Sequence, residues 1–305
     1  MINLGIVGAT GLVGKTTLKV LTEKNLPIDN YVFLASSRSK GKVIEFKNKE
    51  YKVKELTENS FKNLNYAIFV AGGDISKKYA PIAIKNNCIV IDNSSTFRMD
   101  SDVPLIVPEV NPEDIKLHHG IISNPNCSTI QSVIPLKILN DTYGIKRVIY
   151  STYQAVSGAG QKGIEDLENT SNGLAPQKFP YPIYNNCIPQ IDTFLENGYT
   201  KEEEKMLNET RKILNLPKLK ITATTVRVPV QNSHSIATNV ELKTSFEIKD
   251  IIKLFENTKN IIVKNDFLNN DYPIATDATG KDEVFIRKNQ KRFQYKKWTK
   301  FLGCS

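Results

Sequence analysis

The sequence is short of the residues that build cross-links and metal sites: only four of its 305 residues are cysteines and three are histidines. The cysteines, Cys88, Cys127, Cys187 and Cys304, are too few and too scattered for a disulfide framework or a zinc site. We therefore expect free thiols in a reducing, cytoplasmic setting, with Cys88 packed in the core and Cys187 in a structural role. No run of about 18 apolar residues exists, which argues against a membrane-spanning helix. The chain starts directly on an apolar strand pattern, so no signal peptide is expected.

Acidic residues are absent from one stretch, 287–305, which holds seven Lys or Arg. Of the 41 Lys and Arg residues, 34 lie outside this stretch, against 32 Asp and Glu, so most of the net charge of +9 belongs to it. The rest of the chain is nearly neutral, with the composition of an ordinary globular protein. We therefore expect neither a nucleic-acid nor a membrane partner for it.

The pattern of predicted secondary structure changes along the chain. In the first third, strand patterns (INLGIVGA, YVFLAS, YAIFVA, CIVIDN) alternate with helix patterns (LVGKTTLKVLTEK, KYAPIAIKNN). This alternation predicts a parallel, doubly wound sheet. After Cys127, segments rich in Thr, Val and Tyr (RVIYSTYQAVS, LKITATTVRVPV, IATNVELKT) are mixed with helices such as TKEEEKMLNETRKILN. They predict an α+β second domain on a mostly antiparallel sheet.

A glycine-rich turn, GIVGATGLVG, places Gly8, Gly11 and Gly14 between the first strand and the first helix. Such a turn lets backbone amides and the helix N-terminus hold a pyrophosphate. The spacing is G-x-x-G-x-x-G rather than G-x-G-x-x-G, and a simple βα turn is the alternative. The position of the motif at the N-terminus favours cofactor binding.

The end of the second strand, LASSRSKGK, lacks the acidic residue that usually holds the ribose 2′-hydroxyl of NAD. Ser36, Arg38 and Ser39 would instead suit a 2′-phosphate, because a guanidinium forks onto phosphate oxygens. NADP is therefore the predicted cofactor. The alternative is a solvated basic loop.

Cys127, in SNPNCSTI, lies where a predicted strand ends and a predicted helix begins. A thiol at a helix N-terminus is partly thiolate, as a nucleophile must be; an inert buried thiol is the alternative. We expect His118 and His119 to form a solvated pair on a loop. His234 lies between two strands, seven residues after Arg227, and is the best candidate for an acid–base partner, although a lone histidine is more often structural.

The motifs GIVGATGLVG, DNSSTFRMDSDVPLIVPEVN, NPNCST, TYQAVSGAG, EEEK and VRVPV…HS occur in an order that resembles the aspartate-β-semialdehyde dehydrogenases over about residues 1–286. The resemblance implies a Rossmann-type NADP-binding domain at 1–126 and an α+β catalytic and dimerisation domain at 127–286. It also implies a homodimer or a dimer of dimers. The related N-acetyl-glutamyl-phosphate reductases, whose cysteine motif resembles N-P-G-C-Y, remain the alternative enzyme.

The resemblance implies a role for each residue that matches its motifs. It makes Cys127 the nucleophile, His234 the general acid–base and Gln154 the residue that orients the acyl intermediate. The implied substrate-binding residues are Arg98 and Lys205 for phosphate, Arg227 for the carboxylate and Glu202 for the amino group. The predicted cofactor-binding residues are Gly8, Thr10, Gly11, Leu12, Val13, Gly14, Ser36, Arg38 and Ser39.

The implied reaction is reductive dephosphorylation of L-aspartyl-β-phosphate to L-aspartate-β-semialdehyde, a step toward lysine, threonine and methionine. Cys127 thiolate displaces phosphate to give a thioester, NADPH delivers hydride, and the thiohemiacetal collapses with His234 supplying the proton. A substrate bearing a carboxylate, an ammonium and a phosphate needs at least two cations and one anion to recognise it.

The sequence departs from the family pattern at two places. Ser233 replaces the usual glycine before the histidine, where a Cβ would strain a turn that needs positive φ. Residues 287–305 form an atypical basic tail without apolar periodicity, in place of a family segment that returns as a helix to the cofactor domain. Our hypothesis is a single-base shift in an A-rich tract near Arg287, which predicts a truncated product that is poorly active and prone to aggregation. The alternative is a basic, aromatic tail that binds nucleic acid.

Overall fold

The computed structural model describes residues 1–266, 268–291 and 298–304. The chain divides into two compact units, Met1–Pro125 and Asn126–Ser305. Each unit is built on a six-stranded sheet of its own. In the described ranges, no helix combines the length and the apolar character that crossing a bilayer requires.

The first unit contains a parallel sheet, as the alternating strand and helix patterns predict. Its elements are β1 (Asn3–Val7), α1 (Leu12–Glu23), β2 (Asn30–Ala35), β3 (Val43–Phe46), β4 (Lys49–Lys52), β5 (Lys54–Glu55), β6 (Tyr66–Phe69), α2 (Gly73–Lys85), β7 (Ile89–Asp92) and β8 (Ile121–Ser123). The strand order is β5-β2-β1-β6-β7-β8, with every pair parallel. Strands β3 and β4 form a separate antiparallel pair.

Apolar side chains fill both faces of this sheet. Val7, Leu34 and Phe69 belong to one buried cluster, whereas Ile6 and Phe33 belong to another. Successive strand residues point to opposite faces, so a strand covered on both sides needs a nearly continuous apolar run. The runs LGIV and FLA therefore suit β1 and β2 in the centre of a doubly covered sheet.

The second unit is a mixed sheet with helices. Its elements are α3 (Cys127–Tyr143), β9 (Ile145–Gln154), α4 (Gln161–Ser171), α5 (Lys201–Ile213), β10 (Lys220–Arg227), β11 (Ser235–Leu242), α6 (Ile248–Glu256), β12 (Ile261–Lys264), α7 (Ala275–Ala278), β13 (Val284–Lys291) and β14 (Trp298–Cys304). The strand order is β10-β9-β11-β14-β13-β12. The three inner pairings are antiparallel and the two outer ones are parallel, so the expectation of a mostly antiparallel sheet is confirmed.

Strand register brings separated residues to one end of this sheet. Gln154, at the end of β9, pairs with Arg227 at the end of β10. Tyr153 pairs with Ser235, the first residue of β11. His234 precedes Ser235 directly, so it lies at the same end of the sheet as Gln154 and Arg227.

The described residues of 287–305 belong to this sheet and do not stand apart from it. Strand β14 lies between β11 and β13, and Thr299 and Phe301 are buried. The ring of Phe301 packs edge-on against Phe255 of α6, with 6.2 Å between centroids. Thr299 and Phe301 recur with the period of two that a strand requires, which corrects the prediction of a tail without apolar periodicity for these described residues.

Candidate active site

The N-terminus of α3 carries Cys127 and is capped by the residue before it. The side-chain oxygen of Asn126 accepts hydrogen bonds from the backbone N–H groups of Ser128 (2.8 Å) and Thr129 (3.2 Å). The backbone N–H of Asn126 donates to the buried carboxylate of Glu209 (2.6 Å). This cap places an exposed Cys127 at the end of the helix dipole that favours negative charge.

His234, the best candidate from the sequence for an acid–base partner, lies against Cys127. Its Nε2 lies 3.2 Å from Sγ of Cys127, and its Nδ1 accepts the backbone N–H of Ala155 at 3.0 Å. The ring is 6% exposed, and burial together with the charge of Arg227 lowers the pKa of His234 to about 4. The neutral ring therefore carries its proton on Nε2, facing the sulfur.

Arg227 and Gln154 end neighbouring strands, and both are buried. Nη1 of Arg227 donates to the carbonyl oxygen of Ala155 at 2.5 Å, and the guanidinium lies over the Phe179 ring at 5.9 Å. Burial lowers the pKa of Arg227 and Glu202 opposes that shift, but a guanidinium stays charged. The side-chain amide of Gln154 donates to Glu202 at 3.2 Å.

Helix α5 supplies Glu202 and Lys205, three residues apart and therefore on one face. Glu202 accepts a hydrogen bond from the side chain of Asn126 (2.9 Å) and faces the ammonium of Lys205 (3.4 Å). Lys205 also pairs with Asp192 (2.8 Å). Burial opposes the charge of Lys205, yet Glu202 and Asp192 together raise its pKa. The amide of Asn126, adjacent to the nucleophile, is thus linked to the charged groups of α5.

A cavity of about 460 Å³ opens beside these groups and contains three of the four predicted substrate-binding residues. It is lined by Gly158, Ala159, Lys178, Phe179, Pro180, Gln190, Ile191, Asp192, Glu202, Lys205 and Arg227. No sequence motif points to Lys178, Gln190 or Asp192. One local signal does mark Asp192: a positive φ of 69° in a residue other than glycine.

Gly158 keeps space open between the buried side chains of Arg227 and His234. A Cβ at this position would lie 2.9 Å from Nη1 of Arg227, 3.4 Å from Cε1 of His234 and 3.5 Å from its Nε2. A small polar group of a ligand could therefore approach both donors at once. The structure thus gives a physical reason for glycine in the TYQAVSGAG motif.

The turn before His234 has the positive φ at which serine in place of glycine was expected to cause strain. Ser233 has a φ of 69°, a conformation that favours glycine. Its hydroxyl lies 3.1 Å from that of Thr279, within hydrogen-bond distance. The strain expected from replacing glycine is present, and the described serine contact is to Thr279.

In the first unit, the glycine-rich turn and the loop after β2 line a second cavity of about 550 Å³. Gly8 has a φ of 94°, and a Cβ there would lie 2.9 Å from the backbone of Val70. A Cβ at Gly14 would lie 2.3 Å from the carbonyl oxygen of Gly8. Gly11 caps α1. These glycines leave the backbone accessible at a helix N-terminus, as a bound pyrophosphate requires.

The charge of this cavity fits a cofactor with an additional phosphate. Among the described residues that line it, Arg38 is the one that carries a charge, beside Ser36 and Thr10. The hydroxyl of Thr10 donates to that of Ser39 at 3.4 Å. Lys40 does not line the cavity and pairs with Glu55 at 3.2 Å. The predicted residues Leu12, Val13, Gly14 and Ser39 lie next to the cavity in sequence but are not among its lining.

Arg98, the predicted phosphate-binding residue, lies in the first unit and is buried. Its Nη2 donates to the carbonyl oxygen of Asn93 at 2.9 Å.

The three cysteines other than Cys127 differ in solvent exposure. Cys88 is buried, and burial raises its pKa to about 12, whereas Cys187 is exposed, which does not suit a structural role in the core. Cys304 is buried and lies 2.9 Å from the hydroxyl of Ser235.

Comparison with known proteins gives consistent matches over both units. Residues 3–118 match the family model "Semialdehyde dehydrogenase, NAD binding domain", and residues 136–297 match "Semialdehyde dehydrogenase, dimerisation domain". An aspartate-semialdehyde dehydrogenase of Aquifex aeolicus is 52% identical over 298 residues, covering 94% of this chain and 88% of its own. One from Campylobacter jejuni is 48% identical over 295 residues, covering 93% and 86%.

Among solved structures, aspartate semialdehyde dehydrogenase II from Vibrio cholerae, complexed with ASA, superimposes with a TM-score of 0.95 at 41% identity. The match covers 100% of this chain and 93% of the other. The fold of both units is therefore shared with that enzyme.

Proposed function

This chain belongs to the aspartate-semialdehyde dehydrogenase family of oxidoreductases, and from that premise we propose that it converts L-aspartyl-β-phosphate to L-aspartate-β-semialdehyde with NADP as cofactor. The observation that carries the proposal is the contact of Cys127 with His234 at 3.2 Å, in the unit whose cavity contains Arg227 and Glu202. The reaction would serve the biosynthesis of lysine, threonine and methionine.

Cys127 is the proposed nucleophile. Its thiolate attacks the β-carbonyl carbon, a C–S bond forms, the C–O bond to phosphate breaks, and a thioester and inorganic phosphate result. The nicotinamide cofactor, when bound, supplies the hydride that reduces this acyl group. Cys127 then leaves as a thiolate when the C–S bond breaks, so the nucleophile is regenerated without a net change in the protein.

His234 is the proposed hydrogen-bond donor to the sulfur of Cys127. Its Nε2–H faces the sulfur and stabilises the negative charge that appears there at each breaking of the C–S bond. The general-base half of the predicted role would require the other neutral tautomer, with the proton on Nδ1, because a protonated Nε2 cannot accept a proton. Gln154, linked to Glu202, is the proposed contact for the acyl oxygen.

The charges of the cavity match a substrate with three charged groups. Arg227 is the proposed partner of the carboxylate, since a guanidinium can bind it with two parallel hydrogen bonds. Glu202 is the proposed partner of the ammonium, and Lys205 and Arg98 are the proposed partners of phosphate. Burial of Arg227 and Glu202 strengthens their two contacts because the surrounding dielectric is low.

The proposed preference for NADP rests on the charge beside the glycine-rich turn. Arg38 lines the first-unit cavity, whose lining contains no Asp or Glu. The residues that would hold the cofactor are the backbone groups of the glycine-rich turn, from Gly8 to Gly11, together with Ser36 and Arg38. We also propose a homodimer, in line with the dimerisation-domain match; light scattering on the purified chain would test it.

The experiment that tests the function is reduction of NADP with aspartate semialdehyde and inorganic phosphate. Turnover that requires phosphate and this aldehyde would support the proposal. Turnover with N-acetyl-glutamate semialdehyde in its place would assign the chain to the alternative acyl-phosphate reductase. Absence of turnover with both aldehydes, in a folded sample, would contradict the proposed activity of the chain, as the truncation hypothesis anticipates.

A further inference from the structure

A buried carboxylate on α4 holds the backbone of a loop that reaches the substrate cavity. Asp166 is 1% exposed. Its oxygens accept hydrogen bonds from three consecutive backbone N–H groups, those of Gln177 (2.8 Å), Lys178 (2.7 Å) and Phe179 (2.9 Å). Burial opposes ionisation of this carboxyl, yet the three bonds keep its pKa below the ordinary value. Asp166 is therefore an anion that holds the loop backbone at residues 177–179 by hydrogen bonds.

The loop held by Asp166, residues 172–200, depends on such side-chain contacts. Residues 172–200 contain no helix and no strand longer than an isolated bridge. Loops of this length within a compact unit are commonly functional. A second side chain of α4 also holds the loop: the hydroxyl of Thr170 accepts the backbone N–H of Tyr184 at 3.1 Å. Helix α4 thus acts as the rigid support of the loop.

Phe179 links Asp166 to the substrate cavity. Its backbone is held by Asp166, and its ring packs against the buried cluster of Val156 and Ile183. The face of the same ring lies 5.9 Å from the guanidinium carbon of Arg227. A cation over an aromatic face is attracted to it and is held in one orientation. Two contacts therefore orient the guanidinium of Arg227: the ring of Phe179 on its face and the carbonyl oxygen of Ala155 at Nη1.

We propose that Asp166 is a positioning residue for substrate binding: by holding the backbone of Phe179, it fixes the ring that orients Arg227. The inference rests on the proposed function only in assigning the substrate carboxylate to Arg227. Asp166 acts through Phe179 and Arg227 and not on the reacting atoms. Its loss affects binding of the aldehyde substrate more than the chemistry at Cys127.

The change D166N tests this chain of contacts. The amide keeps the size of the side chain, but it removes the charge and turns one acceptor into a donor that faces backbone N–H groups. We expect the KM for aspartate semialdehyde to rise about tenfold while kcat changes less than about twofold, because displacement of a substrate-positioning group costs on the order of 10- to 100-fold. The alkylation rate of Cys127 by iodoacetamide should stay at the wild-type value.

Two further variants separate positioning from general loss of structure. E165Q removes a negative charge from an exposed position of the same helix and should behave as wild type. F179L leaves the three bonds of Asp166 in place but removes the ring, and should reproduce the rise in KM. Hydrogen exchange of the peptide 172–186 should accelerate in D166N and not in E165Q.

The proposal is overturned if D166N and E165Q have the same KM, or if D166N lowers kcat and the rate of Cys127 alkylation together while F179L behaves as wild type. Failure of the proposed function has a different signature: wild-type protein would not turn over aspartate semialdehyde. Exchange in the peptide 172–186 would still decide, in that case, whether Asp166 holds the loop.

Discussion

Nε2 of His234 lies 3.2 Å from Sγ of Cys127, although 107 positions separate the two residues in the chain. The other ring nitrogen accepts the backbone N–H of Ala155. The proton of the neutral ring is therefore directed at the sulfur. The N-terminus of α3 positions Cys127. Ala155, directly after β9, fixes the direction of the hydrogen bond from His234 to the sulfur.

Replacing Cys127 with Ser should lower kcat at least about 1000-fold, because a hydroxyl is a far weaker nucleophile than a thiolate near neutral pH. The matched control is Cys187→Ser, which removes the other exposed thiol and should leave kcat unchanged. Initial rates with aspartate semialdehyde, phosphate and NADP give the comparison. A Cys127→Ser enzyme that retains a tenth of the wild-type rate would exclude Cys127 as the nucleophile.

The neutral ring of His234 should carry its proton on Nε2 at pH 7, because Ala155 donates to Nδ1. Nitrogen-15 NMR of protein labelled at histidine distinguishes the two tautomers and the doubly protonated ring. The chain has only three histidines, so His234→Gln identifies the signal. Observation of the Nδ1–H tautomer would show that the bond from Ala155 is not formed in solution.

His234 should make the free energy of unfolding depend on pH. Its pKa is about 4 in the fold against an ordinary value of 6.5, so below pH 6.5 the unfolded chain binds a proton that the folded chain does not. Stability is fully present above pH 6.5 and is lost as the pH falls toward 4, by up to about 3 kcal/mol.

Urea unfolding of the wild type at pH 7.5 and pH 5 measures this loss. In His234→Gln the corresponding part of the pH dependence should disappear. His119→Gln, at an exposed position, is the control and should retain the wild-type slope. Equal pH dependence in all three proteins would mean that burial does not depress the pKa of His234.

Replacing Gly158 with Ala should lower kcat/KM about 100-fold, because the new Cβ would lie 2.9 Å from Nη1 of Arg227 and 3.4 Å from Cε1 of His234. The φ of Gly158 is outside the left-handed range, so alanine should not strain the backbone there. Thermal unfolding, which should change little, is the internal control. Wild-type kinetics in this variant would show that the space beside Gly158 is not used by the substrate.

Replacing Arg38 with Gln should raise the KM for NADP about 10- to 100-fold and leave the KM for NAD unchanged, because only NADP has a phosphate for the guanidinium to bind. Lys42→Gln is the matched control, since it removes a positive charge from an exposed position of the same loop. An equal loss with both cofactors would assign Arg38 a structural role instead.

Local patterns predict much of the fold and part of the site. Helix α1 begins after the glycine-rich turn, and α5 begins at Thr200, whose hydroxyl accepts the backbone N–H of Glu203 while the Glu203 carboxylate accepts the N–H of Thr200. Both starts are encoded within a few residues. The strand Trp298–Cys304 is harder to predict from its own residues, because one of its few buried positions is a threonine, and pairing with β11 and β13 defines it.

The site residues that motifs do not mark are those whose role depends on distant partners. Asp192 becomes informative through its ion pair with Lys205, and Asp166 through its bonds to the backbone of residues eleven to thirteen positions away. Asp166 carries no local sign of its role, because its partners are backbone N–H groups, which are present at nearly every residue.

Short segments of the sequence suffice to identify the alternating elements of the first unit, the glycine-rich turn, the cysteine at a helix start and the absence of an acid after the second strand. Each of these depends on residues close together in the chain, since period, capping and turn chemistry act over one or two turns. The folded structure was needed to show that Cys127 contacts His234, that Ala155 fixes the tautomer of His234, and that Asp166 holds the loop beside Arg227. These contacts follow from strand register and loop packing, which depend on the burial of the whole unit and not on any short segment.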